Sequence, residues 1–237
     1  MALNAQLANV MAEINGWQNG YHGGYAMDNS FHVDKTTVVI YGSSLIRDAH
    51  YFSVHNPLQR HGVNEQLNIP GVFVQWIGVP GLKLARIGFE LNNGVGTPNG
   101  LLSFQTALTF NPDVAICLWG GNDTDNGENP EDMSWLSVVL AEMFHCITYI
   151  CSVVPRPSPY YMSGYLFQQR AHELTKETKE RLQGNLFPLL RFKQLKRFEN
   201  AVTPLHWDGI HLNDQGNMRL YHNLRKAVIE GIKFNRQ

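Results

Sequence analysis

Charge is scarce in this chain and almost exactly balanced in sign. Lys and Arg number 19 against 20 Asp and Glu, so charged residues are 16% of the 237 and the formal net charge is −1. No basic field is available to draw in nucleic acid or an anionic membrane surface, and direct nucleic-acid binding is not expected. Cysteine is rare as well. Cys117, Cys146 and Cys151 are odd in number and lie in apolar runs, which argues against a disulfide framework and for reduced, buried thiols. No uninterrupted stretch of about 18 apolar residues occurs, so no transmembrane segment is expected. Met1 to Val10 also lacks the basic start and long apolar stretch of a secretory signal. An intracellular, cytoplasmic location is the expectation that follows.

What the chain does contain is enough apolar residue for one core: 43% hydrophobic over this length suits one globular domain. Residues 1–34 stand apart, with Gly16, Gly20, Gly23 and Gly24 among Asn and Tyr, and read as a leader. The domain is expected over residues 35–237. Within it, β-branched and apolar runs alternate with helical patterns. Strands are expected at Thr36–Tyr41, Val72–Ile77, Val114–Trp119 and Ile147–Val154, and a fifth at Leu186–Phe192, where Pro188 favours a sheet edge. Helices are expected at Leu82–Ile87, about Glu131–Phe144 and Tyr160 to about Gln183. A last one, capped by Asn213, carries Met218, Tyr221, Leu224, Val228 and Ile232 at helical spacing. The stretches 55–70, 92–100 and 123–130 read as loops. Such alternation implies a parallel sheet covered on both faces, with ligands bound outside the carboxyl ends of its strands.

Chemistry-bearing residues cluster at those ends. The first strand runs into Gly42-Ser43-Ser44-Leu45, which places Ser44 on a small-residue turn that opens a helix. The second runs into Gly78-Val79-Pro80-Gly81, where a glycine allows an exposed N–H. The third runs into Gly120-Gly121-Asn122-Asp123. Near the C-terminus, Asp208-Gly209-Ile210-His211 sets a carboxylate three residues before an imidazole. A serine hydroxyl is a weak nucleophile until an imidazole, oriented by a third group, takes its proton, and acyl transfer needs donors aimed at the developing oxyanion. Plainer roles exist for each block: Ser44 as a helix cap, Asn122 and Asp123 as turn formers, Asp208 and His211 as a self-satisfied loop pair.

Taken together, the four blocks resemble those of the SGNH hydrolases, the GDSL esterase and lipase family, named for a serine, a glycine, an asparagine and a histidine in this order. The resemblance spans residues 42 to 211. It implies a single-domain α/β fold, a three-layer α/β/α sandwich with a mainly parallel, flavodoxin-like sheet of five strands. It also implies a serine esterase that needs no metal and no organic cofactor. Ser44 would be the nucleophile, His211 the base and Asp208 its orienting carboxylate; Gly81, Asn122 and the Ser44 backbone N–H would form the oxyanion hole. Two positions depart from the pattern: Ser43 stands where the family usually has aspartate, and Gln75-Trp76-Ile77-Gly78 stands where asparagine often precedes the first glycine. Both touch the hydrogen-bonded support of the site rather than a reacting group. Within the family the chain looks most similar to esterase-like domains associated with animal retrotransposons, and secondly to small acetylhydrolases of the platelet-activating-factor type. A short acyl group such as acetyl, on a small-molecule, carbohydrate or lipid ester, is the implied substrate. The rival reading is a catalytically weak binding or assembly module of a retroelement-derived protein, for which self-association would matter.

Other residues invite a role. Trp207, adjacent to Asp208, is a candidate to line the cleft, whereas Trp76 reads as core. Arg156, near a strand end, is a candidate to meet an anionic substrate group. His50, His55 and His61 crowd one region, but their spacing fits no usual metal-ligand pattern.

Overall fold

In a computed structural model of the protein, which describes residues 35–55, 63–184, 187–196, 198 and 208–235, the apolar runs form five parallel strands. These are β1 (Thr36–Gly42), β2 (Val72–Gly78), β3 (Val114–Leu118), β4 (Ile147–Cys151) and β5 (Leu190–Lys193), in the order β2-β1-β3-β4-β5. The helices are α1 (Ser44–His55), α2 (Leu84–Asn93), α3 (Leu101–Thr109), α4 (Gly121–Asp125), α5 (Pro130–Glu142), α6 (Gly164–Arg181) and α7 (Asp214–Asn235). The leader read at 1–34 and Trp207 lie outside the described residues. No described helix is long and apolar enough to cross a membrane.

Alternation along β1 builds two cores. Val38 and Ile40 face a cluster with Leu45, Ile46, Ala49 and Phe52 of α1 and Leu220, Leu224 and Val228 of α7. Val39 and Tyr41 face the opposite cluster, which takes Ile87 of α2, Phe104 of α3, Leu136 and Leu140 of α5 and Leu174 of α6. β3 and β4 are buried at every position, as strands covered on both faces must be. The result is the expected three-layer α/β/α arrangement.

Several boundaries differ from the sequence reading. β3 ends at Leu118 and β4 at Cys151, after which the chain leaves the sheet without regular structure. β5 starts at Leu190, so Pro188 precedes the edge strand instead of interrupting it. Residues 121–125, partly read as loop, form a helix, and α3 has no counterpart in the sequence reading. Two helices, α3 and α2, have N-terminal donors that are satisfied by side chains outside their own first turn. The Glu90 carboxylate accepts the Leu101 N–H at 2.7 Å to start α3, and Asp123 accepts the Ala85 N–H at 3.0 Å near the start of α2. Local capping does operate at α5, where Asn129 accepts from Glu131 N–H and Pro130 takes the first position. It operates again at α7, where Asn213 accepts from Gly216 N–H at 3.1 Å.

The strand order fixes where a ligand can sit. β1 is followed by β2 on one side and then by β3 on the other, so the connections diverge at the carboxyl ends of β1 and β3 and leave a crevice. Ser44 follows β1, and Asn122 follows β3.

Candidate active site

Ser44 is the first residue of α1, where the unpaired N–H groups and the positive end of the helix dipole favour negative charge. Two glycines hold this turn against its neighbours. A Cβ on Gly42 would stand 2.2 Å from the Leu118 carbonyl oxygen, and one on Gly78 would stand 2.1 Å from the Arg47 backbone nitrogen. Only glycine allows β3 and α1 to approach so closely. Around them, Ser43 N–H donates to Leu118 O at 3.1 Å and Val79 N–H donates to Gly42 O at 2.8 Å. Ser43, at the position of the family's aspartate, is buried.

The C-terminal block reaches this turn because α7 packs beside α1. Ser44 Oγ lies 3.4 Å from His211 Nε2, and His211 Nδ1 lies 2.7 Å from Asp208 Oδ2. Asp208 Oδ1 accepts the backbone N–H groups of Ile210 at 2.8 Å and His211 at 2.9 Å. Partial burial acts to raise the Asp208 pKa, but the hydrogen bonds from the His211 ring and from these two N–H groups outweigh it and hold the carboxyl at about 2. An ionised carboxylate only accepts, so the ring proton sits on Nδ1 and Nε2 faces Ser44 with its lone pair. The serine contact is long for a hydrogen bond, a spacing that often tightens when substrate binds.

Asn122, on α4, donates through Nδ2 to the Leu82 carbonyl at 2.9 Å and accepts at Oδ1 from Arg156 Nη2 at 3.0 Å. Leu82 directly follows Gly81, whose φ of +70° and exposed backbone mark the turn after β2. The Gly81 turn and Asn122 are therefore tied together through one carbonyl. Arg156 is not where a substrate contact would be. It is 2% exposed, with its guanidinium turned inward to Asn122 and to Asp125, 3.5 Å away.

Asp123 is fully buried beside Asn122. One oxygen accepts from Ala85 N–H, the other has no hydrogen-bond partner, and burial pushes its pKa up to about 6 against the pull of backbone N–H groups. In the sequence Asp123 reads only as a turn former, and Asp125 carries no role there. The available signal was the three-residue spacing of Asn122 and Asp125, which share a helix face once α4 is recognised.

Of the other described candidates, Trp76, His50 and His55 make their contacts outside the Ser44, His211 and Asp208 group, and His61, like Trp207, lies outside the described residues. Trp76 is buried, donates Nε1–H to Glu65 O at 2.7 Å and stacks on His50. His55 Nδ1 lies 3.1 Å from its own helix's Tyr51 O. The described cysteines are free, and burial raises the Cys117 and Cys151 thiols, the latter to about 12. A cavity of about 280 Å³ lies between α6 and the chain leaving β4 and β5, lined by Ser152, Pro155, His172 and Phe198 among others, and none of the catalytic candidates borders it.

The fold is shared with solved hydrolases. Est24, a carbohydrate acetylesterase from Sinorhizobium meliloti, superposes with a TM-score of 0.58 at 19% identity, covering 83% of this chain and 99% of its own. The native aryl esterase of M. smegmatis gives 0.56 at 16% identity over 83% and 99%. A protein from Slackia heliotrinireducens provisionally assigned to the SGNH hydrolases gives 0.54 at 18% identity over 82% and 99%. No protein-family model matches the chain, and no curated protein matches it in sequence. The fold is that of the SGNH hydrolases, in agreement with the four-block resemblance.

Proposed function

We propose that the protein is a serine esterase acting on carboxylic esters. The observation that carries this reading is the unbroken path from Ser44 Oγ through the His211 ring to Asp208, assembled at the crevice where the strand connections diverge. Ser44 attacks the ester carbonyl while His211 Nε2 takes its proton, and Asp208 stabilises the imidazolium that forms. The Ser44 N–H, the Gly81 N–H and the Asn122 amide stabilise the tetrahedral oxyanion. His211 then returns the proton to the leaving alcohol and activates a water that releases the acyl group from Ser44. We further propose a short acyl group, acetyl above all, with acylated carbohydrates among the substrates. The four-block resemblance supports this, as does the fold shared with a carbohydrate acetylesterase. No step calls for a metal or an organic cofactor.

The test is hydrolysis of p-nitrophenyl esters of graded acyl length by the wild type and Ser44→Ala. The expected result is turnover that falls with chain length in the wild type and vanishes in a folded Ser44→Ala. Equal turnover by the variant overturns the reading.

A further inference from the structure

Arg156 is costly where it stands. It is 2% exposed, its Nε has no hydrogen-bond partner, and its nearest counter-charge, Asp125, is 3.5 Å away. A buried cation held so incompletely is a poor source of stability, and an apolar side chain of similar volume often serves packing as well or better. Burial also pulls its pKa below the usual arginine value, against Asp125. The polar contacts that remain all converge on α4. Nη2 donates to Asn122 Oδ1 at 3.0 Å, and Nη1 reaches Asp125 Oδ2. Asp125 is in turn fixed by the backbone N–H groups of Tyr160 and Tyr161, at 3.1 and 3.0 Å, and the guanidinium lies over the Phe167 ring with Cζ 5.6 Å from its centre.

The chemistry of the two groups explains the arrangement. An asparagine amide has an accepting end and a donating end, and a guanidinium has donors only. Asn122 can therefore present only Oδ1 to Arg156, because a flipped amide would set N–H against N–H. Nδ2 is thereby turned the other way, where one hydrogen meets the Leu82 carbonyl and the second is left for a ligand oxygen. A positive charge on the carbonyl end also polarises the amide, which strengthens its N–H as a donor.

We propose that Arg156 is a positioning residue of the oxyanion hole, which locks the Asn122 amide in its donating orientation and supplies positive charge behind it. The inference rests on the esterase reading, and it replaces a contact with substrate as the role of this arginine.

The experiment is a double-mutant cycle on p-nitrophenyl acetate with Arg156→Met, Asn122→Ala and the double variant, each checked for folding by circular dichroism. Arg156→Met is expected to lower kcat by about 10- to 100-fold with KM changed less than about threefold, the split of a group that acts mainly in the transition state. In the Asn122→Ala background the same substitution is expected to cost less than about threefold, because its route is already gone. Arg156→Lys, which keeps a charged donor, should recover part of kcat; if Arg156→Met does not fold, the same cycle run with Lys decides. An unchanged kcat, or an equal loss with and without Asn122, overturns the inference while leaving an active wild type as an esterase. A wild type without turnover overturns the esterase reading, and this inference with it.

Discussion

Asp208 grips His211 at two points, the ring through Oδ2 at 2.7 Å and the backbone N–H through Oδ1 at 2.9 Å. Because Oδ1 is engaged by two N–H groups, replacing Asp208 by Asn leaves only an amide NH₂ to face the imidazole. Nδ1 must then accept, and the ring proton moves to Nε2, where it points at Ser44 and cannot take the serine's proton. On the esterase reading, Asp208→Asn is expected to keep the fold and lower kcat by about three to four orders of magnitude, the scale of loss that a wrong tautomer causes in a Ser-His-Asp triad. Steady-state kinetics beside circular dichroism check both halves.

Asp123 titrates in the opposite sense to Asp208. Its folded pKa of about 6 lies above the ordinary 3.8, with burial as the main cause, so the fold favours its neutral form. The stability this group contributes is complete below about pH 3.8 and is lost as pH rises through 6. Asp123→Asn mimics the neutral form and removes that slope. Urea denaturation should find the variant more stable than wild type at pH 7, by on the order of 2–3 kcal/mol, with the difference shrinking toward zero near pH 4. A wild type more stable than the variant at pH 7 contradicts this account of Asp123.

Gly78 and Gly81 stand three residues apart and make different demands. A methyl on Gly78 would drive into the Arg47 backbone at the start of α1, whereas one on Gly81 meets nothing within 4 Å and strains only a left-handed backbone. Gly78→Ala should cost about 1–3 kcal/mol or more by overpacking, and should lower kcat because it shifts the helix that carries Ser44. Gly81→Ala should cost about 1 kcal/mol. Denaturation midpoints for the pair, measured side by side, test the difference.

Most of the fold was legible because its signals are local. Runs such as Thr37-Val38-Val39-Ile40 and Val114-Ala115-Ile116-Cys117 admit little but buried strand, and Asn213 caps the helix that follows it. α3 was not legible, since its starting donor is met by Glu90, eleven residues earlier, with no cap beside it. The carboxyl held there accepts from Thr97, Leu101 and Arg86, and these bonds outweigh burial and lower its pKa to about 2. At the candidate site, motif spacing picks out Ser44, Asp208, His211, Gly81 and Asn122 as candidates, because each is tied to a strand end or to a short loop. Arg156 could be named but not placed. Its direction depends on α4, a five-residue helix whose Gly-Asn-Asp-Thr-Asp sequence reads equally well as a turn.

The central claim, that Ser44 is an activated nucleophile served by His211, is tested most directly by covalent labelling with a fluorophosphonate followed by peptide mass spectrometry. The account predicts one equivalent of label on the peptide that contains Ser44, formed within minutes in the wild type and suppressed at least a hundredfold in a folded His211→Ala, by roughly the scale of general-base catalysis. Label on a different residue, or labelling of Ser44 that is as fast without His211, would contradict it.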